Sequence, residues 1–297
     1  MKYNWNIIGH EKQLRQIEED IAGNNIAHAY LLTGPDSIGK RTVARKFAGI
    51  LQCESDFCHI CPTCIQVEKG GHMDTYEVLD EGESIKIEEV RKLVERCNMS
   101  KQAKYKVFIL ENVERMTTEA ANSLLKSLEE PPNGTIFILT CNNLRQILPT
   151  IVSRTRVVKF NNVSLNFLKE KIREIYPEAE EETMTKVGLF SMGKTGKAID
   201  LMESPEKLAQ YMKIYHDIEN FLHHRNVAER FGYMETLLEE GENLEIFFNL
   251  LIHVLRSRIL DGERRYIETV VKAEEACALL SRNVNSRLVL ENLMLAL

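Results

Sequence analysis

The segment Tyr30-Leu31-Leu32-Thr33-Gly34-Pro35-Asp36-Ser37-Ile38-Gly39-Lys40-Arg41-Thr42 constrains this chain more than any other. An apolar run leads into a loop bounded by Gly34 and Gly39, and Val43-Ala44-Arg45-Lys46-Phe47-Ala48 continues with a helical pattern. Strand, glycine-bounded loop and helix in this order make a P-loop, whose backbone N–H groups and helix N-terminus cradle phosphate. Gly34 and Gly39 have the required spacing, and Lys40 stands where a lysine reaches the outer phosphates. The next residue should be Ser or Thr, whose hydroxyl ligates Mg²⁺, and here it is Arg41. Thr42 comes one residue late, about 100° further round a helix, and is badly placed to substitute. The loop therefore reads as a nucleotide site kept in outline and altered in chemistry. Gly34, Gly39, Lys40 and Thr42 are its candidate residues, and binding of ATP and Mg²⁺ is in doubt.

A second landmark lies at the end of Lys106-Val107-Phe108-Ile109-Leu110, an apolar run of the kind that forms a central strand of a parallel sheet. An acidic residue at the C-terminal end of such a strand is where a P-loop protein holds its Mg²⁺. A working ATPase would have Asp then Glu there, and this chain has Glu111-Asn112. Asn112 cannot act as a carboxylate base, and Glu114 is a weak substitute. Thr135–Thr140 reads as another buried strand, and Thr140 stands at the position that would sense a terminal phosphate. Strands near 30, 75, 107, 136 and 157 alternate with helical patterns, one of them Thr118–Glu130, stopped by Pro131-Pro132. This alternation predicts a doubly wound parallel sheet with helices on both faces.

Cys53, Cys58, Cys61 and Cys64 fall together with spacing C-x4-C-x2-C-x2-C. The C-x2-C steps let thiolates converge on one ion, and four thiolates make a closed, structural Zn²⁺ site with no open position for water. His59 and His72 are alternative ligands nearby, while Cys97, Cys141 and Cys277 stand alone. The first residues, Met1–Asn6, contain no signal-peptide apolar core, which makes the cytoplasm the expected compartment and favours metal over disulfides. No apolar run approaches the roughly 18–20 residues of a membrane span. A formal net charge of −6 excludes a chain that binds nucleic acid through overall basic charge, so any DNA contact must be local or made through a partner.

From about residue 161 the pattern changes to short helices, with an acidic run, Glu178–Glu182, that reads as a solvated helix face. Beyond Ser204-Pro205 it is helical to the end. Leu244, Phe247, Phe248, Leu251, Ile252 and Leu255 keep one helical period, and Leu288, Leu290, Leu293, Met294 and Leu297 form another apolar stretch. Such a bundle either closes on itself or turns its apolar surplus toward partner subunits.

Taken in order, these motifs resemble one family. They are His28-Ala29-Tyr30, the altered loop 34–41, the four-cysteine insert, His72-Met73-Asp74, the strand end at 107–116, Ala120-Ala121-Asn122-Ser123-Leu124-Leu125-Lys126-Ser127-Leu128-Glu129-Glu130-Pro131-Pro132, and Pro149-Thr150-Ile151-Val152-Ser153-Arg154. The resemblance, over nearly the whole chain, is to the bacterial sliding-clamp loader subunits of the AAA+ class. It implies an AAA+ P-loop core over 1–160 with the zinc insert at 53–64, a small helical lid over 161–205, and an all-α collar over 206–297. Arg41, Asn112 and the length of 297 residues depart from the ATP-hydrolysing members, so a non-motor member without its own ATPase activity is implied. Ser153-Arg154 resembles the family's arginine finger, with Thr155 in place of the usual cysteine; by that resemblance Arg154 reaches the ATP of a neighbouring subunit. The implied partners are the gamma/tau motor subunits and the delta subunit of a pentameric ring. The sliding clamp and primed DNA would be met through that ring. The rivals are an active gamma/tau-like motor and a zinc-containing nucleic-acid-binding protein.

Overall fold

The computed structural model describes residues 2–80, 82–223, 227–239, 243–280 and 284–296. The chain divides into two compact units, one of residues 1–171 with 193–197, the other of residues 172–192 with 198–297.

The first unit is built on β1 (Ala29–Thr33), β2 (Thr75–Val78), β3 (Lys106–Leu110), β4 (Thr135–Cys141) and β5 (Arg156–Lys159). Among the described residues these form one five-stranded sheet in the order β2-β3-β4-β1-β5, with every pairing parallel. The central strands β1, β3 and β4 are buried along their whole length, which is why they read as unbroken apolar runs. Successive side chains point to opposite faces. Tyr30, Leu32, Val107, Ile109, Ile136 and Ile138 join Leu14, Ile17, Val43 and Phe47 from α1 (Glu11–Ala22) and α2 (Lys40–Gln52). Ala29, Leu31, Phe108, Leu110, Phe137 and Leu139 join Val90, Leu93, Leu124 and Leu128 on the other face, from helices over Ile87–Cys97 and Thr118–Glu129. With the short helix Pro62–Glu68 between α2 and β2, these three are α3, α4 and α5 in chain order. The Thr117 hydroxyl caps α5 by accepting from the Ala120 N–H. Then come α6 (Pro149–Val152), a single turn, and α7 (Leu165–Ile175). The C-terminal ends of β1, β3 and β4 thus lie side by side, which is where open α/β sheets bind ligands.

The second unit is helical: α8 (Glu181–Ser191), α9 (Thr195–Glu203), α10 (Pro205–His223), α11 (Val227–Glu239), α12 (Asn243–Leu260), α13 (Ile267–Leu280) and α14 (Ser286–Ala296), with α7 and α9 crossing the division. In α12, Phe247, Phe248, Leu250, Leu251, Val254 and Leu255 are buried, and it packs on α10 and α13. Leu290, Leu293 and Met294 of α14 are buried as well, while Leu297 lies outside the described residues. No helix among the described residues is long and apolar enough to cross a membrane.

Candidate functional site

The loop between β1 and α2 has the backbone of a phosphate cradle. A Cβ on Gly34 would sit 2.4 Å from the Phe160 carbonyl oxygen, and Gly39 opens α2 at φ +96°, so both positions need glycine. The side chains, however, are engaged with the protein itself. Lys40 is 7% exposed, and its ammonium donates to the carbonyls of Gly34 (2.7 Å) and Pro35 (2.6 Å) and to Asn142 Oδ1 (2.8 Å). An ammonium has three donors, and these contacts use all three. Burial pulls the Lys40 pKa below its ordinary value, with Glu114 and Asp36 opposing.

Arg41 reaches across to β3. Its Nε lies 2.6 Å from Oε1 of Glu111, which is 7% exposed. Burial holds the Glu111 carboxyl above its usual range, and the Arg41 charge works against that. A guanidinium therefore lies against the carboxylate that a P-loop protein reserves for Mg²⁺. Position 41 supplies no hydroxyl beside that carboxylate. Thr140 is buried, and its hydroxyl accepts the Asn112 N–H at 3.0 Å, fixing the end of β3 against β4. Asn142, two residues on, is the side chain that meets Lys40, and its N–H is held by Glu114 at 2.7 Å. Thr42 is exposed, in a pocket that it lines with Arg41, Arg45, Lys46, Phe57, Val67 and Glu68. Gly34, Gly39, Lys40, Glu111 and Thr140 are thus gathered at the sheet's C-terminal edge, and Thr42 is not.

Residues 193–197 cover this loop, an arrangement that sequence reasoning missed. Lys194 Nζ pairs with Asp36 Oδ1 at 2.6 Å, the Thr195 hydroxyl donates to the Ile38 carbonyl at 3.1 Å, and the Lys197 N–H donates to the Ser37 carbonyl at 3.0 Å. A Cβ on Gly196 would stand 2.7 Å from that Ser37 oxygen. The glycines around Lys194 were the available signal, since a close backbone approach demands them.

Arg154 follows α6. Its Nη1 donates to the Thr150 carbonyl (2.9 Å) and Ser153 Oγ (3.2 Å), and Nη2 lies 2.6 Å from Glu129 Oε1 at the end of α5. With His28, Glu129 and Arg156 it lines an open cleft of about 670 Å³.

The four clustered cysteine sulfurs lie within 4.8 Å of one another. Cys53–Cys58 and Cys53–Cys61 are 3.9 Å apart and Cys58–Cys64 is 4.0 Å. A tetrahedron with metal–sulfur bonds of about 2.3 Å has edges of about 3.8 Å, so the four sulfurs are placed to hold one tetrahedral ion. The Ser55 and Cys64 N–H groups donate to the sulfurs of Cys53 and Cys61. His59 instead pairs with Glu68 at 2.6 Å, and His72 contacts Asp74 and Thr75.

The family model described as DNA polymerase III, delta subunit, matches residues 9–164, more than half of the chain. DNA polymerase III subunit gamma of Buchnera aphidicola (subsp. Acyrthosiphon pisum) is 31% identical over 68% of this chain and 58% of its own length. Subunit tau of Bacillus subtilis is 24% identical over 96% of this chain and 55% of its own. The chain thus spans under two thirds of the length of these two relatives. Subunit delta' of Pseudomonas aeruginosa is 42% identical over 43% of this chain and 41% of its own length. In fold, the chain is similar to a crystal structure of a DNA polymerase III gamma subunit-related protein from Thermotoga maritima, with TM-score 0.54 and 21% identity over 95% of this chain and 97% of that one. On the match across β1–β5 and the phosphate loop, the chain belongs to the DNA polymerase III delta subunit family of clamp-loader subunits.

Proposed function

We propose that this chain is a non-motor, delta-prime-like subunit of the bacterial sliding-clamp loader, which braces the ring and supplies Arg154 to ATP on a neighbouring motor subunit. The observation that carries this reading is the Arg41–Glu111 ion pair, an organic cation where a motor subunit needs Mg²⁺. The three internal contacts of Lys40 support it further. In this reading residues 1–160 are the AAA+ core, 161–205 the lid and 206–297 the collar. The partners are the gamma/tau motor subunits and the delta subunit in a pentameric ring; the sliding clamp and primed DNA are met through the complex, in the cytoplasm. The ion held by Cys53, Cys58, Cys61 and Cys64 is Zn²⁺, in a structural role. The degenerate loop binds no ATP or Mg²⁺ of functional consequence. The gamma and tau relatives favour the rival reading, a motor subunit.

The two readings separate in a reconstituted loader with clamp and primed DNA, in which only the motor site beside this chain is competent. The chain alone should not hydrolyse ATP. An arginine finger in trans contributes roughly 10³–10⁵ in rate, so Arg154→Ala should lower turnover about 10³-fold while assembly persists. ATP turnover by the chain alone, with Arg154→Ala unchanged in the ring, would establish the motor reading instead.

A further inference from the structure

We infer that Glu129 is a positioning residue for Arg154, holding the guanidinium aimed at the cleft before any phosphate arrives. The inference rests on the reading of Arg154 as a group that acts on a neighbour's nucleotide. Glu129 is the last residue of α5, followed by Glu130 and then Pro131-Pro132. Two carboxylates at a helix C-terminus oppose the helix dipole, where a cation would stabilise. At Glu129 that cation comes from another element: Arg154 Nη2, 2.6 Å away. The other arm, Nη1, is held by the Thr150 carbonyl and Ser153 Oγ, and that hydroxyl is itself anchored by donating to Thr150 O at 3.1 Å. A long surface side chain ordinarily spreads over many rotamers. Here it is clamped between α5 and α6, whose Leu124, Leu128 and Ile151 are buried against the sheet. A guanidinium carries five N–H donors, and these contacts occupy three. The other two remain for an incoming oxyanion in the cleft, which His28 and Arg156 also line.

An acid beside an arriving triphosphate has two opposite consequences. As a mere counterion it competes with phosphate, and its removal lowers the KM for ATP. As a positioning group it leaves KM alone and raises kcat, because misplacing a catalytic group lowers rate rather than affinity. The structure favours the second, since the carboxylate takes one arm of the fork and leaves donors free.

The test uses the same single-site ring, with steady-state ATP kinetics for wild type, Glu129→Ala, Glu129→Gln, Arg154→Ala and the Glu129→Ala/Arg154→Ala double variant. Glu129 is half exposed, so the variants should fold, and assembly is checked by gel filtration. Glu129→Ala should lower kcat about tenfold with KM within about twofold of wild type. Glu129→Gln, which keeps an oxygen acceptor, should recover most of it. The double variant should be no slower than Arg154→Ala, because a residue acting through Arg154 has nothing to position once it is gone. A slow Arg154→Ala with a wild-type kcat in Glu129→Ala, a fall in KM instead, or a double variant a further tenfold slower than Arg154→Ala overturns this inference alone. A wild-type rate in Arg154→Ala overturns the reading beneath it and this inference together.

Discussion

At Glu111 a carboxylate is buried at the end of β3, and burial raises its pKa; the Arg41 charge opposes that from 2.6 Å away. Arg41→Ala removes the opposing charge and pushes the folded-state pKa of Glu111 further up. A carboxyl whose folded pKa exceeds its unfolded one costs no stability while it is protonated in both states. It costs progressively more as pH rises from the unfolded value toward the folded one. Arg41→Ala should therefore match wild type in urea unfolding near pH 4.5. At pH 8 it should fall about 1–3 kcal/mol below, the range for leaving a buried polar group uncompensated. The lower half of that range is expected, because Arg41 is itself half exposed. Glu111→Gln in the same chain should remove the pH dependence. Equal losses at both pH values would mean that the pair contributes packing and not charge.

At the scale of elements, the four-cysteine segment is tied to α2 by one close approach. Phe57 packs against Gly49, where a Cβ would lie 2.3 Å from the ring, and Cys53, Phe57 and Cys64 belong to the same buried cluster as Val43 and Phe47. Gly49→Ala should thus push the proposed zinc module off its seat. Overpacking of this kind costs about 1–3 kcal/mol, and zinc release to a chelating dye should accelerate in parallel. Wild-type melting with wild-type zinc release would detach the module from the core. The spacing of these cysteines was readable directly, because ligand convergence within a dozen residues is local geometry. The strands were readable for a similar reason: Lys106–Leu110 and Thr135–Cys141 are buried on both faces, so burial is written as an unbroken apolar run. The pairing of Lys40 with Asn142, of Arg41 with Glu111, of Glu129 with Arg154 and of Lys194 with Asp36 was not readable, because each joins residues tens of positions apart or more and leaves no periodic trace. Arg41 read as a lost hydroxyl, when its other half is the carboxylate 70 residues on.

At the scale of the whole molecule, the apolar surplus of the C-terminal helices did not declare from sequence whether it faces inward or outward. The second unit answers in part. Its core takes Phe247, Leu251, Leu255, Leu290 and Leu293, yet Leu288 is 57% and Leu295 66% exposed on α14, and Ile267 and Val271 are about half exposed on α13. Ile267 and Val271 are four residues apart and Leu288 and Leu295 seven, so each pair lies along one side of its helix. Single exposed apolar residues need no explanation, but apolar stripes on two packed neighbouring helices are what a subunit interface presents. If this unit is the collar of the proposed ring, Leu288→Glu/Leu295→Glu should leave the isolated chain folded, with circular dichroism and melting close to wild type, because both side chains already face water. The same variant should fail to enter the loader, since two carboxylates would have to be desolvated without partners in the joint. Gel filtration with the motor and delta subunits reads this directly. Incorporation at the wild-type level would show that this face is not part of the joint, and the exposed side chains of α13 and α14 would then be scattered surface residues.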